Sequence, residues 1–245
     1  MRLAVVIGLL IGLLAGPAPA ADLLQARALY RAGEMRAAAA LARRLGTADA
    51  YALAARASLV EAVYQAGPGD RAALLVRALE DAARALEIDP VNVDALIERA
   101  LALGHLTEGD LVGAQANGYA PEGRKLIELA LELAPDNPWA HGLLGMWHLQ
   151  VVRHAGPALG SSLYGANEQE GLAACARALG LAPDDPALRF GCALSRLQAD
   201  PQRFGWSTLR ELSRVIRLPA RDAAERLVQA EAGRVARDLS RRLRD

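Results

Sequence analysis

The chain has 245 residues, and its 28 basic and 28 acidic residues balance to a formal net charge of zero. This balance does not favour nucleic-acid binding. Ala and Leu dominate and runs rich in Val, Ile and Thr are absent, so β-strands have little from which to form. Removal of an N-terminal leader of about 20 residues would leave about 225 residues, which is the length that five or six stacked helical hairpins require.

The first 20 residues predict a signal peptide. Arg2 supplies a positive charge, Leu3 to Leu14 form an apolar stretch of twelve residues, and Ala18-Pro19-Ala20 is a small-residue cleavage site. This stretch is shorter than the roughly 20 residues that a membrane-spanning helix needs. We therefore expect export to the periplasm, cleavage after Ala20, and no stable membrane insertion of the mature chain.

Three related stretches each end one helix and start the next. They read ALEIDP at 85–90, ALELAP at 130–135 and ALGLAP at 178–183, and their prolines are 45 and 48 positions apart. Each is followed by a residue suited to cap a helix, namely Asn92, Asn137 and Asp185. Helices are therefore predicted to begin near 93, 138 and 186.

The complete pattern predicts a single all-α domain over 21–245. The predicted hairpins span about 22–45, 50–87, 93–133, 138–180 and 186–217. A final helix, about 221–242, is rich in arginine and has the polar outer face of a terminal cap.

The Leu144-Gly145 pair with Trp139, followed by Ala178-Leu179 and Pro183, resembles the tetratricopeptide repeat (TPR) family. The resemblance implies a right-handed superhelical solenoid of antiparallel hairpins with a capping helix. The period exceeds the family's 34 residues by about ten, and we expect the extra length between the two helices of a pair, at 67–70 and in longer loops at 107–121 and 154–167. Similar lengthened repeats occur in exported bacterial proteins and in periplasmic components of solute transport systems.

The resemblance also implies partner binding along the concave face, which the first helix of each hairpin lines. The positions assigned to this face are Tyr51, Asp94, Ile97, Leu101, Trp139, Met146, Phe190 and Leu194. Most are apolar, which has two interpretations. They form an exposed patch for a protein or peptide partner, or the long loops cover them and they belong to the core.

Tyr119 and Tyr164 lie in the two glycine-rich stretches expected to be loops. Long loops in compact domains are often functional, so these side chains are candidates to close over a ligand. The alternative is that both stretches are connectors only.

Three histidines, His141, His148 and His154, fall on or next to one predicted helix. A helical zinc site usually has histidines four residues apart with an acidic partner, and both features are missing. We therefore predict no metal site and assign His141 and His148 to hydrogen-bonded packing.

Cys175 and Cys192 lie at nearly equal distances on either side of the turn at Pro183. In an antiparallel helix pair they would face each other, so an oxidising compartment would allow a disulfide. The alternative is two buried thiols.

No nucleophile motif or phosphate-binding loop is present, so we predict no enzymatic activity and no cofactor. The function predicted from sequence is a non-catalytic periplasmic scaffold that binds a protein or peptide through its concave face. The alternative is a small-molecule-binding accessory component of a solute transport system.

Overall fold

The computed structural model describes residues 19–109 and 111–244. These residues form helices and no β-strand. The helices are α1 (Pro19–Ala32), α2 (Met35–Leu45), α3 (Ala48–Val60), α4 (Pro68–Ile88), α5 (Val93–Gly109), α6 (Leu111–Ala116), α7 (Tyr119–Leu133), α8 (Pro138–Tyr164), α9 (Glu168–Leu181), α10 (Pro186–Ala199), α11 (Pro201–Arg217) and α12 (Ala223–Arg242). A π-helical turn, Glu61–Gln65, extends α3. The predicted signal peptide lies outside the described residues except for its last two.

The helices pack in consecutive pairs, α1 with α2, α3 with α4, α5 with α7, α8 with α9 and α10 with α11. We call α1, α3, α5, α8 and α10 the first helices. Each first helix also packs on the first helix of the next pair, so the pairs stack along one direction. This arrangement confirms the predicted all-α helical repeat solenoid.

The capping residues expected from the sequence occupy the helix starts. The Asn92 side chain accepts a hydrogen bond from the Ala95 backbone amide at 2.9 Å. Asn137 accepts from the amides of Trp139 and Ala140, and Asp185 accepts from an amide in the first turn of α10. Each cap satisfies backbone donors that lack a partner within the helix, which fixes where α5, α8 and α10 begin.

The two long connectors are largely helical, so the expectation of loops at 107–121 and 154–167 is wrong. Helix α8 runs for 27 residues, and only Gly156, with φ of 78°, interrupts it. Pro157 follows at the start of the next helical segment, where its missing N–H costs nothing. The extra length of each repeat is therefore mostly additional helix.

Helix α12 packs on α10 and α11 and also reaches the first hairpin. Ala224 belongs to the same buried cluster as Ala26 and Ala54 of α1 and α3. Val228 shares a second cluster with Phe190 of α10, and Tyr64 of the π-helical turn packs against that cluster. The last helix thus joins the two ends of the solenoid.

Candidate functional site

The eight residues assigned to the concave face differ widely in exposure. Ile97 is 4% exposed and Phe190 is 6% exposed, so neither forms part of an open surface. Phe190 is covered by α12, whose Val228 lies in the same cluster, and Leu194 packs against that cluster. The covering element is therefore the last helix of the chain and not an inter-helix loop.

Four of the remaining assigned side chains, Tyr51, Leu101, Trp139 and Met146, are partly exposed. They come from three successive first helices, α3, α5 and α8. None of them belongs to the clusters that contain residues of α12. We call these four side chains the apolar row.

Trp139 connects α8 to α10 through its indole. Its Nε1 donates a hydrogen bond to Oδ2 of Asp185 at 3.2 Å. Asp185 also caps α10, and the Arg221 guanidinium lies 4.0 Å from the same Oδ2. The polar end of Trp139 is therefore fixed, while the rest of its ring remains partly open to solvent.

Asp94 is the polar member of the assigned set, and it belongs to an ion cluster between α3 and α5. Arg56 Nε donates to Oε1 of Glu98 at 2.6 Å, and Arg56 Nη2 lies 3.3 Å from Oδ1 of Asp94. Burial raises the pKa of Glu98, although Arg56 opposes this effect. The Asp94 side chain is 63% exposed, so a charged group stands next to the apolar row at α5.

A cleft of about 460 Å³ lies between α2, the end of α3 and α4. Alanines 39, 40 and 73 line its apolar part, and Arg36, Arg43 and Arg77 line its polar part. Arg43 donates three hydrogen bonds to the buried Asp81 and a fourth, of 2.8 Å, to Ser58 Oγ. Sequence reasoning missed this cleft, because the partners of these arginines lie 15 to 38 positions away along the chain.

A second cleft, of about 450 Å³, adjoins the break in α8 and the start of α9. Its lining includes Val152, Pro157, Asn167 and Arg203. The stretch 154–167, which was predicted to be a loop, contributes Pro157, Ser161, Ala166 and Asn167 to this lining, and no lining residue comes from 107–121. An enclosed ligand site where the two stretches would meet the concave face stays a prediction.

Tyr164 is the last residue of α8, and Tyr119 is the first residue of α7. Both side chains are partly exposed. The segment beside Tyr119 is held in place because Trp147 Nε1 donates to the Ala120 carbonyl at 2.8 Å. A ligand-closing role for the two tyrosines stays a prediction.

His148 is buried and hydrogen-bonded within the repeat. Its Nδ1 accepts the backbone N–H of Asn167 at 3.0 Å, and its Nε2 lies 3.4 Å from Oε2 of Glu170. Burial and the neighbouring Arg124 lower the pKa of His148. His141 Nε2 contacts the Pro135 carbonyl oxygen at 2.7 Å.

In the structure Cys175 and Cys192 form a disulfide between α9 and α10, with Cα atoms 5.9 Å apart. Gly145 of α8 lies next to Cys175. A Cβ atom at Gly145 would lie 2.7 Å from Cys175 Sγ and 2.8 Å from the Gly171 carbonyl oxygen. Helices α8 and α9 therefore meet at backbone distance here, and the disulfide joins α10 to them.

Within 19–109 and 111–244, no group of three or more His, Cys, Asp or Glu side chains has an arrangement suited to a metal ion. The part of the chain that the structure describes also contains no helix with both the length and the apolarity needed to cross a bilayer.

A family model described as "Regulator of microtubule dynamics protein 1-3" matches residues 22–155, more than half of the chain. The crystal structure of a thermophilic TPR protein from Thermus thermophilus superposes with a TM-score of 0.60 at 20% sequence identity. The superposition covers 88% of this chain and 98% of the Thermus chain. A sequence search of curated proteins finds no match.

Proposed function

Because the chain belongs to the family described as regulator of microtubule dynamics protein 1-3 and folds as a TPR-like solenoid, we propose that it is a non-catalytic periplasmic scaffold. Its partner is a protein or an extended peptide that lies across the first helices. The observation that carries this proposal is the apolar row, in which Tyr51, Leu101, Trp139 and Met146 stay partly exposed on three successive first helices. A surface of this kind buries apolar area when a partner binds.

The proposed site is limited on one side by α12. Phe190 and Leu194 pack with α12, so they contribute to the core and not to the contact with a partner. Asp94, on α5, supplies an exposed charge beside the row. The proposed partner therefore presents apolar side chains together with a basic group, because the Asp94 carboxylate is 63% exposed although Arg56 lies 3.3 Å from it, and an exposed carboxylate at an interface rim favours opposite charge.

The family's description refers to the regulation of microtubule dynamics. We do not extend that role to this chain, because the signal peptide predicted over residues 1–20 would direct it out of the cytoplasm. Mass spectrometry of the protein from fractionated cells tests this location directly. It should find the protein in the periplasm with Ala21 as its first residue, and an intact Met1 in the cytoplasm would contradict the proposal.

A second candidate function is binding of a small molecule as an accessory to solute transport. The cleft between α2, α3 and α4 favours it, because about 460 Å³ is a volume typical of ligand sites. Arg77, which has no ion-pair partner among the described residues, would favour a ligand that carries an anionic group, whereas Arg36 and Arg43 are paired with Glu61 and Asp81.

The test of the scaffold is capture of partners from periplasmic extract by the chain that begins at Ala21. Trp139→Ala should abolish capture of the main partner, while the protein still folds as judged by circular dichroism and thermal melting. Leu24→Ala is the matched control, because Leu24 is 65% exposed on α1, which carries no residue of the row. A partner that both variants retain, or no partner at all, would contradict the proposal and favour the cleft.

A further inference from the structure

Helix α11 carries a cationic stripe on the face that points away from the protein. The buried residues Gly205, Thr208, Leu212 and Val215 define its inner face. At 100° per residue, Trp206, Arg210, Arg214 and Arg217 lie within about one quarter of the circumference on the opposite side. All four are exposed, and we call them the α11 stripe.

The three arginines of the stripe have no ion-pair or hydrogen-bond partner among the described residues. The acidic residue of α11, Glu211, is already paired with Arg189 of α10. Unpaired guanidiniums that retain five donors each are free to bind an external anion. The stripe is therefore a site of uncompensated positive charge.

The charge of the surrounding region has the same sign. Residues 201–244 contain eleven arginines and five carboxylates, whereas residues 46–200 contain eleven basic and twenty acidic residues. The end of α12 lies beside the start of α11, because a Cβ atom on Gly205 would be 2.8 Å from the Leu243 side chain. Arg241, Arg242 and Arg244 are exposed at this end of α12, and among the described residues only Arg241 has an ion-pair partner, Asp238.

Trp206 adds an apolar element to this surface, since 57% of it is exposed. Its indole stands at one end of the arginine row. Tryptophan is enriched where proteins meet the headgroup region of a bilayer, and arginine binds phosphate oxygens in a bidentate manner. The combination of these residue types on one helix face therefore favours a phospholipid surface.

We propose that the α11 stripe binds the surface of a membrane rich in anionic phospholipids, which holds the scaffold at the bilayer without a membrane-spanning segment. The stripe follows the outer face of one helix over about 16 Å, at 1.5 Å per residue. Such a face can lie against a plane of headgroups but cannot enclose a peptide. Arg210, Arg214 and Arg217 bind lipid phosphates, and Trp206 inserts at the interface.

The experiment is sedimentation of the chain from Ala21 with vesicles of phosphatidylcholine alone or mixed with one quarter phosphatidylglycerol. Binding should appear only with the anionic vesicles and should decrease at high salt, because the attraction is screened. Each arginine near an anionic surface contributes about fivefold to partitioning. Replacement of Arg210, Arg214 and Arg217 by Ser should therefore weaken binding about 100-fold.

The matched control replaces Arg27, Arg31 and Arg44 by Ser. These arginines are also exposed and have no ion pair in the described residues, so the change in net charge is the same. Equal loss in both triple variants would overturn the proposal in favour of attraction by net charge alone. Failure of the unaltered chain to sediment with anionic vesicles would also overturn it, and binding to polyglutamate in that case would assign the stripe to an acidic protein.

Discussion

Where α8, α9 and α10 meet, the helices touch through glycine and a disulfide, whereas α2, α3 and α4 are joined through ion pairs around an open cleft. In the first region, Cβ atoms at Gly142 or Gly145 would overlap Leu188 or Cys175 at less than 3 Å. In the second, Arg43 and Asp81 bridge α2 and α4, and Arg36 pairs with Glu61 beside a cleft of about 460 Å³.

The difference shows that one repeat pattern allows two ways to join helices. Close packing of small residues leaves no room for a ligand and contains few groups that titrate. Long charged side chains hold helices farther apart, and their satisfied hydrogen bonds leave a polar-walled space between them. The glycine junction (α8, α9 and α10) and the arginine junction (α2, α3 and α4) should therefore respond to different substitutions.

The largest expected effect is loss of the disulfide from the glycine junction. Cys175 and Cys192 are 17 positions apart, and a cross-link over a loop of about this length stabilises a protein by roughly 3 kcal/mol. Urea unfolding with and without a reducing agent should show this decrease in the free energy of unfolding. The double variant Cys175→Ala/Cys192→Ala should not respond to the reductant. Two titratable thiols in the native protein before reduction would contradict the prediction.

Gly145→Ala should destabilise the same junction by about 2 to 3 kcal/mol, because the added methyl group meets backbone atoms of α9 that cannot move independently. Gly104→Ala is the matched control. Gly104 lies inside α5, and a methyl group there would have nothing within 4 Å, so alanine should stabilise the protein by about 0.5 to 1 kcal/mol. Chemical unfolding of both variants measures the contrast, and effects of the same sign would refute it.

At the arginine junction, Arg43→Met should cost about 2 kcal/mol, because it leaves the Asp81 carboxylate buried without its partner. Arg44→Met, an exposed neighbour on α2, should change stability little. The double variant Arg43→Met/Asp81→Leu should recover most of the loss, since no buried charge then remains. If the double variant were as unstable as Arg43→Met, the loss of stability would not come from the unpaired Asp81 carboxylate.

The repeat pattern was readable from sequence because its signals are local. The ALxxxP stretches end helices, and the caps at Asn92, Asn137 and Asp185 start them through bonds to amides two or three residues away. The helical character of 157–164 was missed because this glycine-rich stretch was expected to be a loop. Gly156 does interrupt α8, but Pro157 then starts a new turn.

The surroundings of the candidate site depend on contacts between distant parts of the chain. Phe190 is buried because α12 returns to the first hairpin, and that return reflects small rotations accumulated over five repeats. The pairing of Arg43 with Asp81 requires the relative positions of α2 and α4, which residue spacing does not give. The places of Trp139 and Met146 on the first helix of a hairpin follow from the repeat pattern, but the pattern did not decide their exposure, since Ile97 and Phe190 were assigned to the same face and are buried.

The smallest expected effect is a dependence on pH that arises at the glycine junction from His148. Its pKa is lowered by burial and by Arg124, so the folded state favours the neutral ring. The unfolded chain, with an ordinary pKa near 6.5, binds more protons below that pH. The contribution of the neutral His148 ring to the free energy of unfolding is therefore complete above pH 6.5. It is lost as the pH falls below that value, because protonation favours unfolding.

Urea unfolding at pH 7.5 and at pH 5.5 should show this loss, and His148→Gln should reduce it. His154, whose pKa is also lowered, is exposed on α8, so His154→Gln should reduce the loss less. Since Cys175 and Gly171 pack on the same stretch of α8 as His148, acid should weaken this junction before it affects the arginine pairs. If the pH dependence were unchanged in His148→Gln, the titrating groups would lie elsewhere, and the glycine junction would be insensitive to pH in this range.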